Sequence, residues 1–278
     1  MLPSGPALCE RDGADDLGAL WATLRREAVE AAERDALMGP SVTAALLRHA
    51  SFGDALATRL GRKLGDEDVG AAALTALVAE AFDADPRIVE AAAADLTAVR
   101  DRDPACPDLV TPFLFFKGFL ALQAYRVSHW LWRRDRQHFA NHVQSRSAEV
   151  LGIDIHPAAR LGCGIMIDHG TGLVIGETAV VEDDVSLLQG VTLGGTGKEC
   201  GDRHPKIRRG VLLGAGAKVL GNIEVGEGAK VGAGSIVLDP VAPHTTVVGV
   251  PARPVGPKLV DLPALTMDQM LPPPDYAI

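Results

Sequence analysis

The sequence predicts an α+β protein in which an all-α N-terminal domain is followed by a parallel β-helix. Two observations support this prediction. From Ile155 onward an aliphatic residue recurs every six residues, and before that point the chain is rich in Ala, Leu, Glu and Arg. With 278 residues and 47% hydrophobic content, the chain is long enough for two domains with a buried core. The predicted boundaries are a flexible N-terminus (1–14), a helical domain (15–150), the β-helix (151–255) and a flexible C-terminal tail (256–278).

The helical domain is predicted to consist of amphipathic helices separated by Gly and Pro. Trp21, Leu24 and Ala28 fall on one face of the first helix. Gly39-Pro40 is a stop signal, and Ser41 is a candidate N-cap for the next helix. The later helices are predicted at 41–64, with a bend near Gly53, and at 68–82, 86–99 and from 111 to about 147.

Six residues is the period of a parallel β-helix, in which each hexapeptide forms one short strand and one corner. Three hexapeptides make a triangular coil. The aliphatic residue of each hexapeptide is expected to point inward and to stack on its equivalents in the neighbouring coils. The repeat slips by two residues once and is interrupted once. Its positions are Ile155, Leu161, Ile167, Leu173, Ile175, Val181, Leu187, Leu193, Ile207, Leu213, Val219, Val225, Val231 and Val237.

Composition argues against several classes of protein. The formal net charge of −9 argues against nonspecific nucleic-acid binding. The most apolar stretch, 111–132, contains Lys117 and Arg126 and is not expected to span a membrane. No signal peptide is evident, and the four cysteines show no metal-type pairing. The sequence therefore predicts a cytoplasmic protein with reduced thiols and no metal.

The repeat breaks at two places that contain candidate catalytic side chains. At 168–172 a polar, glycine-rich step, Asp-His-Gly-Thr-Gly, replaces the usual corner. At 194–206 a loop that contains Arg203 and His204 is inserted between Leu193 and Ile207. Such a loop on a solenoid is usually functional. Each break places a histidine beside a charged residue, and histidine is the side chain best suited to accept a proton near neutral pH.

The motifs in and around these breaks closely resemble those of the serine O-acetyltransferases. The resemblance extends upstream to 100–105 and 117–119 and covers nearly the whole chain. It implies a left-handed β-helix and the transfer of acetyl from acetyl-CoA to the hydroxyl of L-serine in cysteine biosynthesis. It also implies homotrimers that pair into hexamers, with active sites between neighbouring β-helices. The motifs are Ile-Asp-Ile-His-Pro (153–157), Asp-His-Gly-Thr-Gly (168–172), Gly-Glu-Thr-Ala-Val (176–180), Val-Thr-Leu-Gly-Gly-Thr-Gly-Lys (191–198) and Gly-Asp-Arg-His-Pro-Lys-Ile (201–207).

The resemblance assigns three catalytic residues. His169 matches the general base that activates the serine hydroxyl. Asp154 matches the carboxylate that orients this base, as in the dyads of hydrolases. His204 matches a second active-site histidine.

Four further residues match positions that hold the amino acid. Asp103 and Asp168 match the acids that accept the ammonium group. Arg203 can bind the carboxylate by a two-point contact, which lysine does poorly. Glu177 matches a glutamate near the base, although acidic residues are ordinary at this position of the repeat.

Acetyl-CoA is expected as the co-substrate, in a groove between two β-helices, and no metal is needed. The positions that match CoA contacts are Gly195, Thr196, Ala215, Lys230 and Ala233.

The end of the chain matches a partner-binding signal. In the family a terminal isoleucine inserts into the active site of O-acetylserine sulfhydrylase, and Ile278 is the last residue here. L-cysteine is expected as a feedback inhibitor that occupies the serine site.

Two positions near the site depart from the family pattern, and alternative functions also stay open. Gly170 stands where Ala is more frequent, and Gly190 where a larger polar residue is more frequent. The alternatives are the same fold and donor with homoserine or a sugar amine as acceptor, a zinc-bearing hydratase, and a non-catalytic subunit that binds a partner through its tail.

Overall fold

The computed structural model describes residues 14–197 and 200–271. The predicted flexible segment 1–14 therefore lies almost wholly outside the described residues, as does the terminal Ile278. The helical part contains, in chain order, α1 (Ala14–Arg34), α2 (Gly39–Val42), a π-helical turn (Thr43–Leu47), α3 (Phe52–Leu64), α4 (Ala71–Ala84), α5 (Arg87–Arg102), α6 (Val110–Phe115), α7 (Lys117–Trp132) and α8 (Gln137–Leu151).

Two predicted helices are divided in the structure. The predicted helix 41–64 is interrupted after Leu47, and Ser51 caps α3 by accepting a hydrogen bond from Asp54 N at 3.1 Å. The predicted helix from 111 to about 147 is divided into α6, α7 and α8. Phe116 is extended between α6 and α7, and Asp135 has a φ of 58° between α7 and α8. None of the three breaks contains Gly or Pro, and Gly53, where a bend was expected, lies inside α3.

The second half of the chain is a three-sided parallel β-helix, as predicted. Sheet A has the strand order β1-β4-β7-β10-β13, sheet B has β2-β5-β8-β11, and sheet C has β3-β6-β9-β12-β14 with β15 antiparallel at its edge. The strands are β1 (Ile153–Ile155), β2 (Arg160–Leu161), β3 (Met166–Ile167), β4 (Leu173–Ile175), β5 (Val180–Val181), β6 (Ser186–Leu187), β7 (Thr192–Gly194), β8 (Lys206–Ile207), β9 (Leu212–Leu213), β10 (Lys218–Leu220), β11 (Glu224–Val225), β12 (Lys230–Val231), β13 (Ile236–Val237), β14 (Thr246–Gly249) and β15 (Ala252–Val255).

All fourteen aliphatic positions of the repeat are buried, and the stacking prediction is confirmed. In sheet A, for example, Ile155 pairs with Ile175, which pairs with Leu193. The slip of two residues also has a structural reason. Leu173 and Ile175 both point inward from β4, so the corner before β4 is two residues longer than a regular corner.

Buried polar contacts join the helical part to the first coil. The carboxylate of Asp95 is fully buried and receives hydrogen bonds from Arg126 Nη2 at 2.6 Å and from the backbone N of Ile165 at 3.0 Å. Arg126 Nη2 also donates to the carbonyl of Gly162 at 2.8 Å, and Tyr125 donates to that of Ala159 at 2.6 Å. Helices α5 and α7 therefore hold the coil that carries the first break of the repeat.

The segment after the β-helix differs from the predicted flexible tail. Residues 259–271 run back along sheet C and include the short helix α9 (Pro263–Thr266). Ala264 is fully buried, its N donates to Gly210 O at 3.3 Å, and its carbonyl accepts from Ser186 Oγ at 2.9 Å. The Leu262 side chain packs against Gly210, where a Cβ would lie 2.7 Å from the Leu262 Cδ2. The composition of this segment predicted flexibility. Its apolar residues Leu262 and Ala264 nevertheless pack on the β-helix.

Two further predictions concern the whole chain. The prediction of reduced thiols is wrong for Cys163, which is disulfide-bonded, whereas Cys106 and Cys200 are free. Spacing along the chain did not indicate which cysteines approach each other in space.

Of the helices in the described part of the chain, none is long and apolar enough to cross a membrane.

His129 on α7 makes the stability of the fold depend on pH. Burial lowers the pKa of His129 from 6.5, although its Nδ1 donates to Pro157 O at 2.7 Å, which opposes the shift. The unfolded chain therefore binds the proton more readily, and the free energy of unfolding should fall as the pH drops below about 6.5. We expect His129→Gln to lose less stability than the unmodified chain between about pH 8 and about pH 5.5, as measured by urea unfolding. His138→Gln, on the exposed face of α8, is the control, and an unchanged pH dependence in His129→Gln would contradict the assignment.

Candidate active site

Three predicted site residues meet at the corner between sheets C and A that joins the first coil to the second. This corner, 168–172, follows β3 and precedes β4. The ring Nε2 of His169 lies 3.8 Å from Asp168 Oδ1, and the His169 side chain is 74% exposed. Burial raises the pKa of Asp168, and the negative charge of Asp103 raises it further, while His169 opposes the shift. Two acids and an accessible imidazole therefore form one group, which we call the acid corner (Asp103, Asp168 and His169).

Asp103 reaches this group because α5 is longer than predicted. The helix continues to Arg102, and Asp103 is its C-cap. Its Oδ1 accepts a hydrogen bond from Ala105 N at 2.8 Å, which fixes the turn that follows the helix. The cap and the acid of the candidate site are thus the same residue.

Glu177, Arg203 and His204 form a second group at the corner between sheets A and B. Arg203 Nη2 donates to Glu177 Oε2 at 2.7 Å. His204 is buried, and the backbone N of Thr178 donates to its Nδ1 at 3.1 Å. The proton of the neutral ring is therefore on Nε2. Burial lowers the pKa of His204, and the charge of Arg203 lowers it further. We call this group the basic corner (Glu177, Arg203 and His204).

Thr178 organises the basic corner, a role that no pattern in the sequence indicated. Its Oγ1 accepts from the backbone N of Arg203 at 3.0 Å and from that of His204 at 3.1 Å. The end of the loop is also held by Lys206 Nζ, which donates to Asp202 Oδ1 at 2.6 Å. The Gly-Glu-Thr motif drew attention to this threonine. A local pattern could not indicate its partners, because Arg203 and His204 lie 25 and 26 residues further along the chain.

The absence of a side chain at Gly176 leaves room for the ring of His204. A Cβ at Gly176 would lie 2.0 Å from His204 Nε2 and 2.1 Å from its Cδ2. Gly176 does not have a positive φ, so the backbone tolerates alanine and the effect isolates this contact. We expect Gly176→Ala to lower kcat/KM for the expected acceptor, L-serine, by about 10²-fold, because small displacements of binding groups have effects of this size. The control is Gly53→Ala, whose Cβ would meet only ordinary contacts from 3.6 Å. Equal activities of the two variants would contradict the prediction.

The predicted pair of Asp154 and His169 is not formed. Asp154 lies on the outer side of β1, and its Oδ1 accepts from Gln144 Nε2 at 2.6 Å. Among the described residues, no hydrogen bond or ion pair joins Asp154 to His169. The acid corner and the basic corner also lie apart, at opposite ends of β4, and no such contact links them within the described chain.

The residues that match CoA contacts also lie in two places. One set is at the corners between sheets A and B, and the other is at the corners between sheets C and A. Gly195 and Thr196 follow β7 on the side of the basic corner. Ala215 and Ala233 follow β9 and β12, in the column of corners that contains His169, and Gly234 N donates to Ala215 O at 2.8 Å.

Lys230 differs from the other predicted CoA contacts. Its side chain is buried, and its Nζ donates to the carbonyls of Met270 at 2.7 Å and Asp268 at 3.2 Å. The structure therefore uses its ammonium group to hold the C-terminal segment. The described residues contain no group of three or more His, Cys, Asp or Glu side chains that could hold a metal ion.

Comparison with known proteins gives matches over most of the chain. A family model described as "Serine acetyltransferase, N-terminal" matches residues 20–124, and a model of the bacterial transferase hexapeptide (six repeats) matches residues 204–239. A serine acetyltransferase of Salmonella typhimurium is 53% identical over 255 residues, which cover 92% of this chain and 93% of that protein.

Solved structures of serine acetyltransferases are similar throughout the fold. A complex with cysteine has a TM-score of 0.89 at 49% identity and covers 91% of this chain and 98% of the other. A complex with coenzyme A from Brucella abortus has a TM-score of 0.86 at 49% identity, with 88% and 98% covered. A soybean enzyme complexed with serine has a TM-score of 0.85 at 51% identity, with 87% and 99% covered. Together with the geometry of the two corners, these matches show that the chain belongs to the serine acetyltransferase family of acyltransferases.

Proposed function

We propose that the chain transfers acetyl from acetyl-CoA to the hydroxyl of L-serine, with His169 as the general base. The products are O-acetylserine and CoA, and the reaction opens the synthesis of cysteine from serine. The observation that carries the proposal is the exposed imidazole of His169 beside Asp168 in the enlarged corner of the β-helix. An imidazole can act as a general base toward an alcohol, and the exposed ring of His169 is accessible to one.

The reaction follows from the chemistry of these groups. His169 takes the proton of the serine hydroxyl, and the oxygen attacks the thioester carbonyl carbon. The resulting tetrahedral intermediate collapses, the C–S bond breaks, and the proton on His169 passes to the CoA thiolate. Asp154 remains the carboxylate proposed to orient the ring, which requires it to exchange Gln144 for His169 as its partner.

The amino acid is proposed to bind between the two kinds of corner. Asp103 and Asp168 take its ammonium group, and Arg203 with His204 takes its carboxylate. In one chain the acid corner and the basic corner are separated by the whole of β4. The three residues of β4 span about 10 Å, whereas the two charged groups of an amino acid are adjacent. We therefore propose that the acid corner of one protomer and the basic corner of its neighbour form one site.

This arrangement supports the homotrimer predicted from the sequence, and paired trimers as a hexamer. It can be tested by mixing two inactive variants, His169→Ala and Arg203→Ala, after joint refolding. A shared site regenerates intact sites at about a quarter of the interfaces of randomly mixed trimers. No recovery of activity in the mixture would contradict the shared site.

The residues that match CoA contacts lie at two different corners, which supports a binding groove for acetyl-CoA between the same two protomers. Gly195 and Thr196 on one protomer would face Ala215 and Ala233 on its neighbour. The column of Ala215 and Ala233 leads to the corner of His169, as transfer from a pantetheine arm requires. Lys230 takes part only after the C-terminal segment has left it.

Regulation and partners are proposed on the same basis. L-cysteine would compete for the serine site, which the cysteine complex of a similar enzyme supports. Ile278 is proposed to bind O-acetylserine sulfhydrylase, and loss of binding after its deletion would test this. The cytoplasm remains the predicted compartment.

The decisive experiment measures the release of CoA thiol by the purified chain with acetyl-CoA and a panel of acceptors. We expect turnover with L-serine, and much slower turnover with homoserine and sugar amines. A preference for either of the other acceptors would overturn the assignment of the substrate.

A further inference from the structure

The direction of the His169 side chain is set by its backbone. Within residues 14–197 and 200–271, the ring has one polar contact, to Asp168, and it is otherwise exposed. His169 has a φ of 54°, and Gly170 and Gly172 have φ values of 72° and 75°. A residue with a Cβ is unfavourable in this left-handed region, so the surrounding structure must hold it there.

The first turn of α7 supports the corner on the side of Asp168. Gly118 lies so close to β3 that a Cβ there would be 2.0 Å from the carbonyl oxygen of Ile167 and 2.9 Å from its carbonyl carbon. Ile167 directly precedes Asp168. Because the contact involves the backbone of both elements, the end of β3 cannot move toward the helix.

The residue before Gly118 holds the other side of the corner. Lys117 Nζ donates a hydrogen bond to Thr171 Oγ1. Thr171 lies two residues after His169, and its carbonyl accepts a hydrogen bond from Gly190 N in the next coil at 2.8 Å. Two consecutive residues of α7 therefore contact the chain immediately before Asp168 and shortly after His169.

We infer that Lys117 is a positioning residue, whose bond to Thr171 fixes, together with the contact of Gly118 with Ile167, the direction in which His169 presents its ring. This inference rests on the proposed function, in which His169 is the base. Without the ammonium group, 169–171 would lose its tie to the helical part, and the base would spend less time within reach of the alcohol. A displacement of about 1 Å can cost about 10²-fold in rate, and Gly118 would still support one side.

The test compares Lys117→Met, Thr171→Val and the double variant. Met keeps most of the side-chain stem, and Val keeps the shape of Thr without its hydroxyl. We expect each single variant to lower kcat by about tenfold with the KM for acetyl-CoA unchanged, which is the pattern of a lost transition-state interaction. The double variant should lose little more than either single variant, because both remove the same bond. Lys117→Arg should recover much of kcat.

Lys63→Met is the matched control, since Lys63 on α3 makes no hydrogen bond or ion pair within the described part of the chain. Thr171→Ser keeps the hydroxyl and should retain kcat, which separates the bond from any loss of folding. Unchanged kcat in Lys117→Met, or losses in the two single variants that simply add, would overturn the inference.

Parallel assays of His169→Ala keep the two hypotheses distinct. If His169→Ala is inactive while Lys117→Met keeps its kcat, only the positioning role fails. If His169→Ala keeps full turnover, the proposed function itself fails.

Discussion

Replacing His169 with alanine is expected to lower kcat by about 10²–10⁴-fold, the range that a general base contributes. The side chain is exposed and makes one polar contact in the described chain, so its loss should leave the fold intact. The KM for acetyl-CoA should change little, because the imidazole acts on the acceptor. The measurement is thiol release with saturating L-serine and acetyl-CoA, together with a melting curve.

Exposed histidines elsewhere provide the control for this experiment. His138→Ala on α8 removes an exposed imidazole that belongs to neither corner and should retain full turnover. A His169→Ala variant that folds and keeps more than about a tenth of kcat would contradict the role of His169 as the base.

Replacing Arg126 with methionine is expected to lower the free energy of unfolding by about 3–5 kcal/mol, because it leaves a buried carboxylate without its partner. Asp95 is fully buried. Its Oδ2 accepts from Arg126 Nε at 3.0 Å and Nη2 at 2.6 Å, and from Gln123 Nε2 at 3.1 Å. Burial raises the pKa of Asp95, and the charge of Arg126 opposes that shift. Removal of the guanidinium would therefore take away the charge that opposes desolvation of Asp95 most strongly and would also free the carbonyl of Gly162.

A surface pair of the same type separates the effect of burial from that of charge. Arg253 contacts Asp239 at 3.2 Å with both side chains largely exposed. Arg253→Met should change the stability by less than about 1 kcal/mol. Urea unfolding at matched protein concentration measures both variants, and the double variant Asp95→Leu/Arg126→Met should recover part of the loss. Equal effects of Arg126→Met and Arg253→Met would show that the buried pair does not fasten the helices to the first coil.

The repeat could be predicted from the sequence because it is local. One aliphatic residue per six residues is enough to specify an inward position, and the stacking of equivalent positions follows from the period. The enlarged corner at 168–172 was visible for the same reason, since two extra residues break a strict period. The divisions of the helices were not visible. Phe116 is extended, and the chain resumes as a helix at Lys117, whose first turn packs on Ile167, a residue far along the sequence.

The candidate site was only partly accessible from the sequence. The motifs named His169, Asp168, Arg203 and His204, but not their grouping. That Arg203 pairs with Glu177 follows from the return of the loop to the second coil, which Thr178 fixes through backbone groups. The expected contact of Asp154 with His169 is replaced by Gln144 on α8, because the end of that helix packs beside β1.

The β-helix, its inward face and the residue types available for acyl transfer were predictable from the sequence, since period and composition act within a few residues of chain. The tertiary structure decided which of these side chains meet. It placed the acids and the base at one end of β4 and the arginine with its histidine at the other, assigned Lys230 to the C-terminal segment, and set Lys117 and Gly118 against the corner of His169. These outcomes depend on contacts between residues that are distant along the chain, whose geometry no local pattern encodes.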